Sequence, residues 1–279
     1  MPGLFFGTGG VPLSSAERST ISGIQRIGEL GLGCMEVEFV HGVSMGAITA
    51  RQVKDEAAGL GVKLSVHAPY YINFNSDDAE KRRSSGKRLV ESARVGAMCG
   101  ARNIVFHAAF YMKNEPSQVY AVVKAGLAEI TRRLREESID VCLRPEVTGK
   151  ATQLGTVEET LELCRELPGL LPCLDVSHWH ARTGGFNSYD EVIEVLRLFE
   201  SRLGKPAIED MHLHFSGIQY SRRGEIKHLP LKESDMKYDE ILRGFKDFGI
   251  KGTVICESPN LEEDALLLKK TYDALPGKG

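Results

Sequence analysis

The sequence predicts a single (β/α)8 TIM barrel over residues 1–279, and three observations predict it. Short apolar segments rich in Val, Ile and Leu alternate with segments of helical period, eight of each. Turn signals separate them: Gly31 and Gly33, Gly59 and Gly61, Cys99-Gly100-Ala101, Pro168-Gly169 and Phe248-Gly249. A chain of 279 residues suits one large α/β domain, and no linker-like or low-complexity stretch divides it.

Taken in order, the strands are read over Leu4–Thr8, Cys34–Phe39, Lys63–His67, Asn103–His107, Asp140–Pro145, Leu171–Asp175, Met211–Phe215 and Thr253–Glu257. Each is short and mostly apolar, as befits a strand covered on both faces of a parallel sheet. The helical patterns after them lie near Ala16–Leu30, Ile48–Leu60, Ala79–Cys99, Ser117–Glu137, Val157–Leu167, Tyr189–Leu203, Tyr238–Phe248 and Leu261–Leu275. Gly9-Gly10 reads as a tight turn after strand one. The longest stretches without helical pattern follow strands three, six and seven, on the face where barrel active sites are built.

Composition narrows the class. Hydrophobic content of 42% and charged content of 26% are those of a soluble globular protein. No apolar run approaches the roughly 18 residues needed to cross a bilayer, and MPGLFFGTGG has no basic segment or apolar core of a signal peptide. The six cysteines form no CxxC pair and read as buried thiols of a cytoplasmic protein. A net charge of -3 gives no global attraction for nucleic acid, although a metal-rich mouth supplies a local positive field.

Imidazoles and carboxylates stand where the apolar runs stop: His67, His107, Glu146, Asp175 with His178, His212 with His214, and Glu257. Parallel strands bring all these ends to one mouth. Around it we expect His67, His107, Glu146, Asp175, His178, His212, His228 and Glu257. Five imidazoles and three carboxylates exceed the needs of one tetrahedral metal, which argues for two or three ions sharing ligands. Such clusters generate a nucleophile near neutral pH and suit phosphoryl chemistry. His41, His180 and the Lys81-Arg82-Arg83 run read as surface or packing residues, and Trp179 as packing or a wall of the pocket.

HAPYYINFNS (67–76), NIVFHAA (103–109), CLRPEVTGK (142–150), PCLDVSHWHA (172–181), MHLH (211–214) and VICESP (254–259) together resemble the endonuclease IV family of apurinic/apyrimidinic endonucleases. The resemblance spans strands three to eight. It implies a zinc-dependent (β/α)8 barrel that cuts DNA 5′ to an abasic site by metal-hydroxide attack, with two or three Zn2+ ions (Mn2+ or Fe2+ being alternatives). By the same resemblance His67 and His107 hold one ion, Glu146 bridges to a second completed by Asp175, His212 and Glu257, and His178 and His228 belong to a third. Glu146 carries the catalytic role, as positioner of the metal pair. The expected partner is DNA with abasic or 3′-blocked sites, with no membrane, and the chain is expected to be a cytoplasmic monomer.

The sequence departs from that family in places. Its Asp-x-His pair after strand seven reads Ile226-Lys227-His228 here, leaving Glu225 or His214 as substitutes and predicting a weaker third site. Strand one ends FFGTGG without the family's His, and EVEFVHGVSMG lacks its basic loop. Tyr70 and Tyr71 stand where the family inserts side chains into the DNA stack, and Arg222, Arg223 and Lys227 are candidates for phosphate contacts. The rival reading is a sugar isomerase or epimerase with one metal on Glu146, Asp175, His212 and Glu257. A third is a protein that binds damaged DNA or a nucleotide without cutting.

Overall fold

The computed structural model describes residues 3–277. Eight barrel strands, called one to eight in chain order, span Leu4–Gly9, Cys34–Glu38, Lys63–His67, Asn103–Phe106, Cys142–Pro145, Cys173–Asp175, Met211–Phe215 and Gly252–Cys256. All pair in parallel, in the order five, four, three, two, one, eight, seven, six. Bridges from Leu143 to Leu170 and from Glu146 to Cys173 close the ring between strands five and six. The architecture is a single α/β TIM barrel.

The apolar core lies outside the ring. Val66, Ile104, Leu143, Leu174, Leu213 and Val254 are buried in one hydrophobic cluster with Val53, Leu89, Val123, Leu161, Leu196 and Phe245 of the surrounding helices. Side chains alternate along a strand, so the other residues of each strand face the barrel axis. Parallel register sets Gly9, Glu36, Ser65, Asn103 and Cys142 at one level, and Thr253, His212 and Cys173 at another. Barrel interiors are ordinarily filled by layers of branched apolar side chains. This one is largely polar.

Four features around the barrel differ from expectation. The stretch after strand six, read as lacking helical pattern, holds the helix Val176–Thr183. That helix starts directly off the strand and spans two turns, too few for SHWHAR to show a period. After strand seven the chain forms an antiparallel hairpin, Gly217–Ser221 with Gly224–Leu229. Ala109–Phe110 pairs with Gln153–Leu154 beside it. The first helix begins at Thr20 rather than near Ala16, because the Ser19 side chain accepts the Ser22 N–H and caps it. All six cysteines are free. Among the described residues no helix is long and apolar enough to cross a membrane.

Candidate metal centre

His67 ends strand three. Its Nδ1 lies 2.8 Å from the Ala68 carbonyl, which fixes the tautomer and leaves Nε2 facing the axis. That Nε2 and the Nε2 of His107 each lie 3.1 Å from Glu146 Oε2. Glu146 Oε1 points the other way, 2.9 Å from His178 Nδ1 and 3.8 Å from His214 Nδ1. One carboxylate thus touches two sets of imidazoles.

Asp175 ends strand six and caps the helix after it. Its Oδ1 accepts the His178 N–H at 2.7 Å. The Asp-x-x-His spacing therefore folds both side chains onto the mouth, with Asp175 Oδ2 3.1 Å from His178 Nδ1. Strand register places Asp175 opposite His214, and Cys173 opposite His212. His214 accordingly stands at the level of the mouth, 3.4 Å from Glu257 Oε1 through Nδ1. His212 lies one layer deeper, between Glu36 Oε2 at 2.9 Å and Thr253 Oγ1 at 2.8 Å. Donor atoms of Glu146, Asp175 and His214 lie within 4.8 Å of one another, as do those of His67, His107 and Glu146. Of the two strand-seven histidines, the geometry brings His214, not His212, to the mouth set.

The third group is His178, Glu225 and His228, again within 4.8 Å. His178 Nε2 is 3.4 Å from His228 Nε2 and 3.5 Å from Glu225 Oε2. A regular strand would put Ile226 on the face of His228. Instead the hairpin register pairs Ile218 with His228, Gln219 with Lys227 and Tyr220 with Glu225. Ile226 is the extra residue of a β-bulge, which resets the alternation so that Glu225 shares the face of His228. Ile226 itself is exposed. Gly149, after Glu146, makes room: a Cβ there would meet Glu225 Cβ at 2.8 Å and His178 Cδ2 at 3.0 Å.

The groups suit divalent cations on a further ground. Asp175 Oδ2 and both ring nitrogens of His214 are buried with no hydrogen-bond partner, a costly arrangement unless a cation lies among them. Burial works against the charge of Glu146, yet His107, His178 and His214 hold its carboxyl well below the usual carboxylate range. Burial disfavours the His67 imidazolium, but the Glu146 hydrogen bond and the Glu38 charge push it up to about 10. His178 is likewise pushed up to about 10 against its burial, by Asp175 and then Glu146. Burial raises Asp175. Without a metal, the centre holds protons where it would hold ions.

Strand two contributes acids that the motifs did not single out. Glu36 is fully buried, with Oε2 and Oε1 each 2.9 Å from the Nε2 atoms of His212 and His214. Burial raises Glu38 to about 8. Their signal was the period of two in Cys34-Met35-Glu36-Val37-Glu38, acids on one face of an apolar strand. Other residues have packing tasks. His180 bridges the Gly185 carbonyl at 2.9 Å and Asp235 Oδ1 at 3.2 Å. His41 Nδ1 lies 2.8 Å from the Tyr71 hydroxyl, and Trp179 packs against the core.

The mouth opens onto a cavity of about 280 Å³ lined by His107, Lys150, Glu225 and Glu257, with Tyr70 at its edge. Tyr70 and Tyr71 are half exposed. The Tyr70 ring centroid is 5.7 Å from His67 and 6.4 Å from His107.

A family model described as xylose isomerase-like TIM barrel matches residues 24–275. An uncharacterized protein of Methanocaldococcus jannaschii is 45% identical over 98% of both chains. A probable endonuclease 4 of Mycoplasma pneumoniae is 25% identical, over 71% of this chain and 68% of its own. Among solved structures, endonuclease IV from Thermus thermophilus superposes with a TM-score of 0.75 at 20% identity, covering 96% of this chain and 98% of that one. A D-tagatose 3-epimerase-like protein gives 0.71 at 19% identity, over 95% and 96%. At those identities the superpositions establish the fold alone.

Proposed function

We propose that this chain, which belongs to the xylose isomerase-like TIM barrel family, is a metal-dependent phosphodiesterase that cleaves DNA at abasic sites. The observation that carries the reading is the sharing of Glu146. Its two oxygens face two donor sets, with a third set adjoining through His178. A single-metal enzyme has no task for so many imidazoles.

Three sites are assigned: His67, His107 and Glu146; Glu146, Asp175, His214 and Glu257; and His178, Glu225 and His228. Imidazole and carboxylate accept Zn2+, with Mn2+ and Fe2+ as alternatives. Ions bound there would polarise a phosphodiester and make a nucleophile available near neutral pH. Three divalent ions bring six positive charges and Glu146, Asp175, Glu225 and Glu257 offset four, so the mouth keeps an excess of two that attracts a phosphodiester. Glu146 positions the metal pair and is no free base, since its oxygens are engaged. Tyr70, exposed at the lip, is placed to fill the gap at a missing base. Lys150, with Arg222 and Arg223 on the hairpin, supplies phosphate contacts.

Protein stripped by chelator and reloaded with Zn2+ is expected to nick a duplex carrying one abasic site and to spare the intact duplex. Absence of scission with Zn2+, Mn2+ and Co2+ alike would remove the reading. A sugar epimerase is favoured by one feature: Glu146, Asp175, His214 and Glu257 alone make a complete single-ion set. Metal stoichiometry separates the two, at two or three ions per chain for the phosphodiesterase and one for the epimerase.

A further inference from the structure

We propose a metal site of a different kind at the base of the mouth, built by Cys173, His212 and Glu36 together with His214, whose Nδ1 faces the mouth and whose Nε2 faces this site, and suited to a thiophilic divalent ion such as zinc. Cys173 stands opposite His212 on the neighbouring strand, and His214 lies two residues on along the same face. One donor atom from each of the three lies within 4.8 Å of the others. Glu36 reaches across from strand two, 2.9 Å from the Nε2 atoms of both histidines. All four side chains are fully buried.

The spacing fits a cation. Tetrahedral zinc with Zn–N near 2.0–2.1 Å and Zn–S near 2.3 Å sets its ligand atoms roughly 3.4–3.7 Å apart, inside the range of 2.9 to 4.8 Å found here. Glu36 Oε1 and His214 Nε2 face each other at 2.9 Å, yet neither has a hydrogen-bond partner.

The site has support from behind. Thr253 Oγ1 lies 2.8 Å from His212 Nδ1, with the Asn103 amide at 3.4 Å, which orients the ring from behind. Thr253 and Asn103 also line a cavity of about 600 Å³ on the opposite face of the barrel. Every donor assigned to the mouth is nitrogen or oxygen, so sulfur ligation reports this site alone.

The test is optical. Chelator-stripped protein titrated with Co2+ is expected to develop a near-ultraviolet thiolate-to-cobalt band that saturates at one ion per chain. Cys173→Ser is expected to lose the band, and Cys142→Ser to keep it. Should Cys173→Ser fail to fold, X-ray absorption fine structure at the zinc edge of the wild-type protein replaces it and is expected to contain a sulfur scatterer. Cobalt-loaded wild type with no thiolate band, a band that survives Cys173→Ser, or a zinc spectrum without sulfur overturns the site. None of these readouts involves DNA cleavage, so failure of the phosphodiesterase reading leaves the result interpretable.

Discussion

The bulge at Ile226 makes a prediction that separates structure from motif. A motif reading says that the acid missing at Ile226 disables the third metal site, and that Ile226→Asp restores it. The hairpin register says that Glu225 already occupies that place and that residue 226 points to solvent. Glu225→Gln keeps the shape and removes the charge. The carboxylate is mostly buried and stands 3.5 Å from His178 Nε2, so its loss resembles the breaking of a buried ion pair, about 3–5 kcal/mol. That is on the order of a 100- to 1,000-fold weaker third ion at the lower end of the range. Competition with a chromophoric chelator measures it directly: Glu225→Gln should bind one ion fewer per chain at micromolar chelator. Ile226→Asp should leave all the constants within about twofold, well under the 1.4 kcal/mol of a tenfold change. If Ile226→Asp tightens the third ion tenfold while Glu225→Gln changes nothing, the bulge is not as described and the motif reading stands.

Glu146 touches both of the other groups, so Glu146→Gln should cost two ions where His107→Ala costs one; equal losses by elemental analysis would argue against a shared carboxylate. In metal-free protein, His67 and His178 are pushed up to about 10, above their unfolded value near 6.5. Their stabilisation is then complete below about pH 6.5 and lost as pH rises through 10, so the melting temperature of the stripped protein should fall on the alkaline side. Metal binding must displace the same protons, so zinc affinity should rise between about pH 6 and pH 8 with proton release seen by calorimetry in two buffers; affinity flat across that range would contradict the assignment. Tyr70→Ala should weaken binding of an abasic duplex by about 1–3 kcal/mol, the worth of one aromatic–base stack, while intact duplex is unaffected; an equal loss for both would make Tyr70 a packing residue.

Much of the barrel was legible because its signals are local. Eight apolar runs with turn residues between them place the strands, and all eight were found at the expected sites, each end within two residues. The convergence of His67, His107, Glu146 and Asp175 follows from parallel strands alone, and His178 joins them through the helix that Asp175 caps. The choice between His212 and His214 does not, since both share one face of strand seven. It depends on where that strand stands relative to strand six, and pairing of His214 with Asp175 is a long-range fact. Glu225 was visible only as an acid one position out of phase, because a bulge leaves no mark in composition. Glu36 and Glu38 carried the same alternation as the ligand histidines, but without a matching motif they passed as ordinary strand residues.

Each strand of this barrel carries two codes on alternate residues. The outward set, Val66, Ile104, Leu143, Leu174, Leu213 and Val254, packs against helices and is buried at 1% exposure or less. The inward set of the same strands holds His67, Arg144, Glu146, Cys173, Asp175, His212 and His214. Fully buried charges cost several kcal/mol each unless paired, and much of the pairing here is internal: Arg144 donates to Asn103, to the Pro172 carbonyl and to Asp210, while Glu36 Oε2 pairs with His212. An apolar interior would give these strands more burial energy, by about 25 cal/mol per Å², but no donor atoms. The helix-facing code carries the stability, so the axis-facing code is free to be chemical.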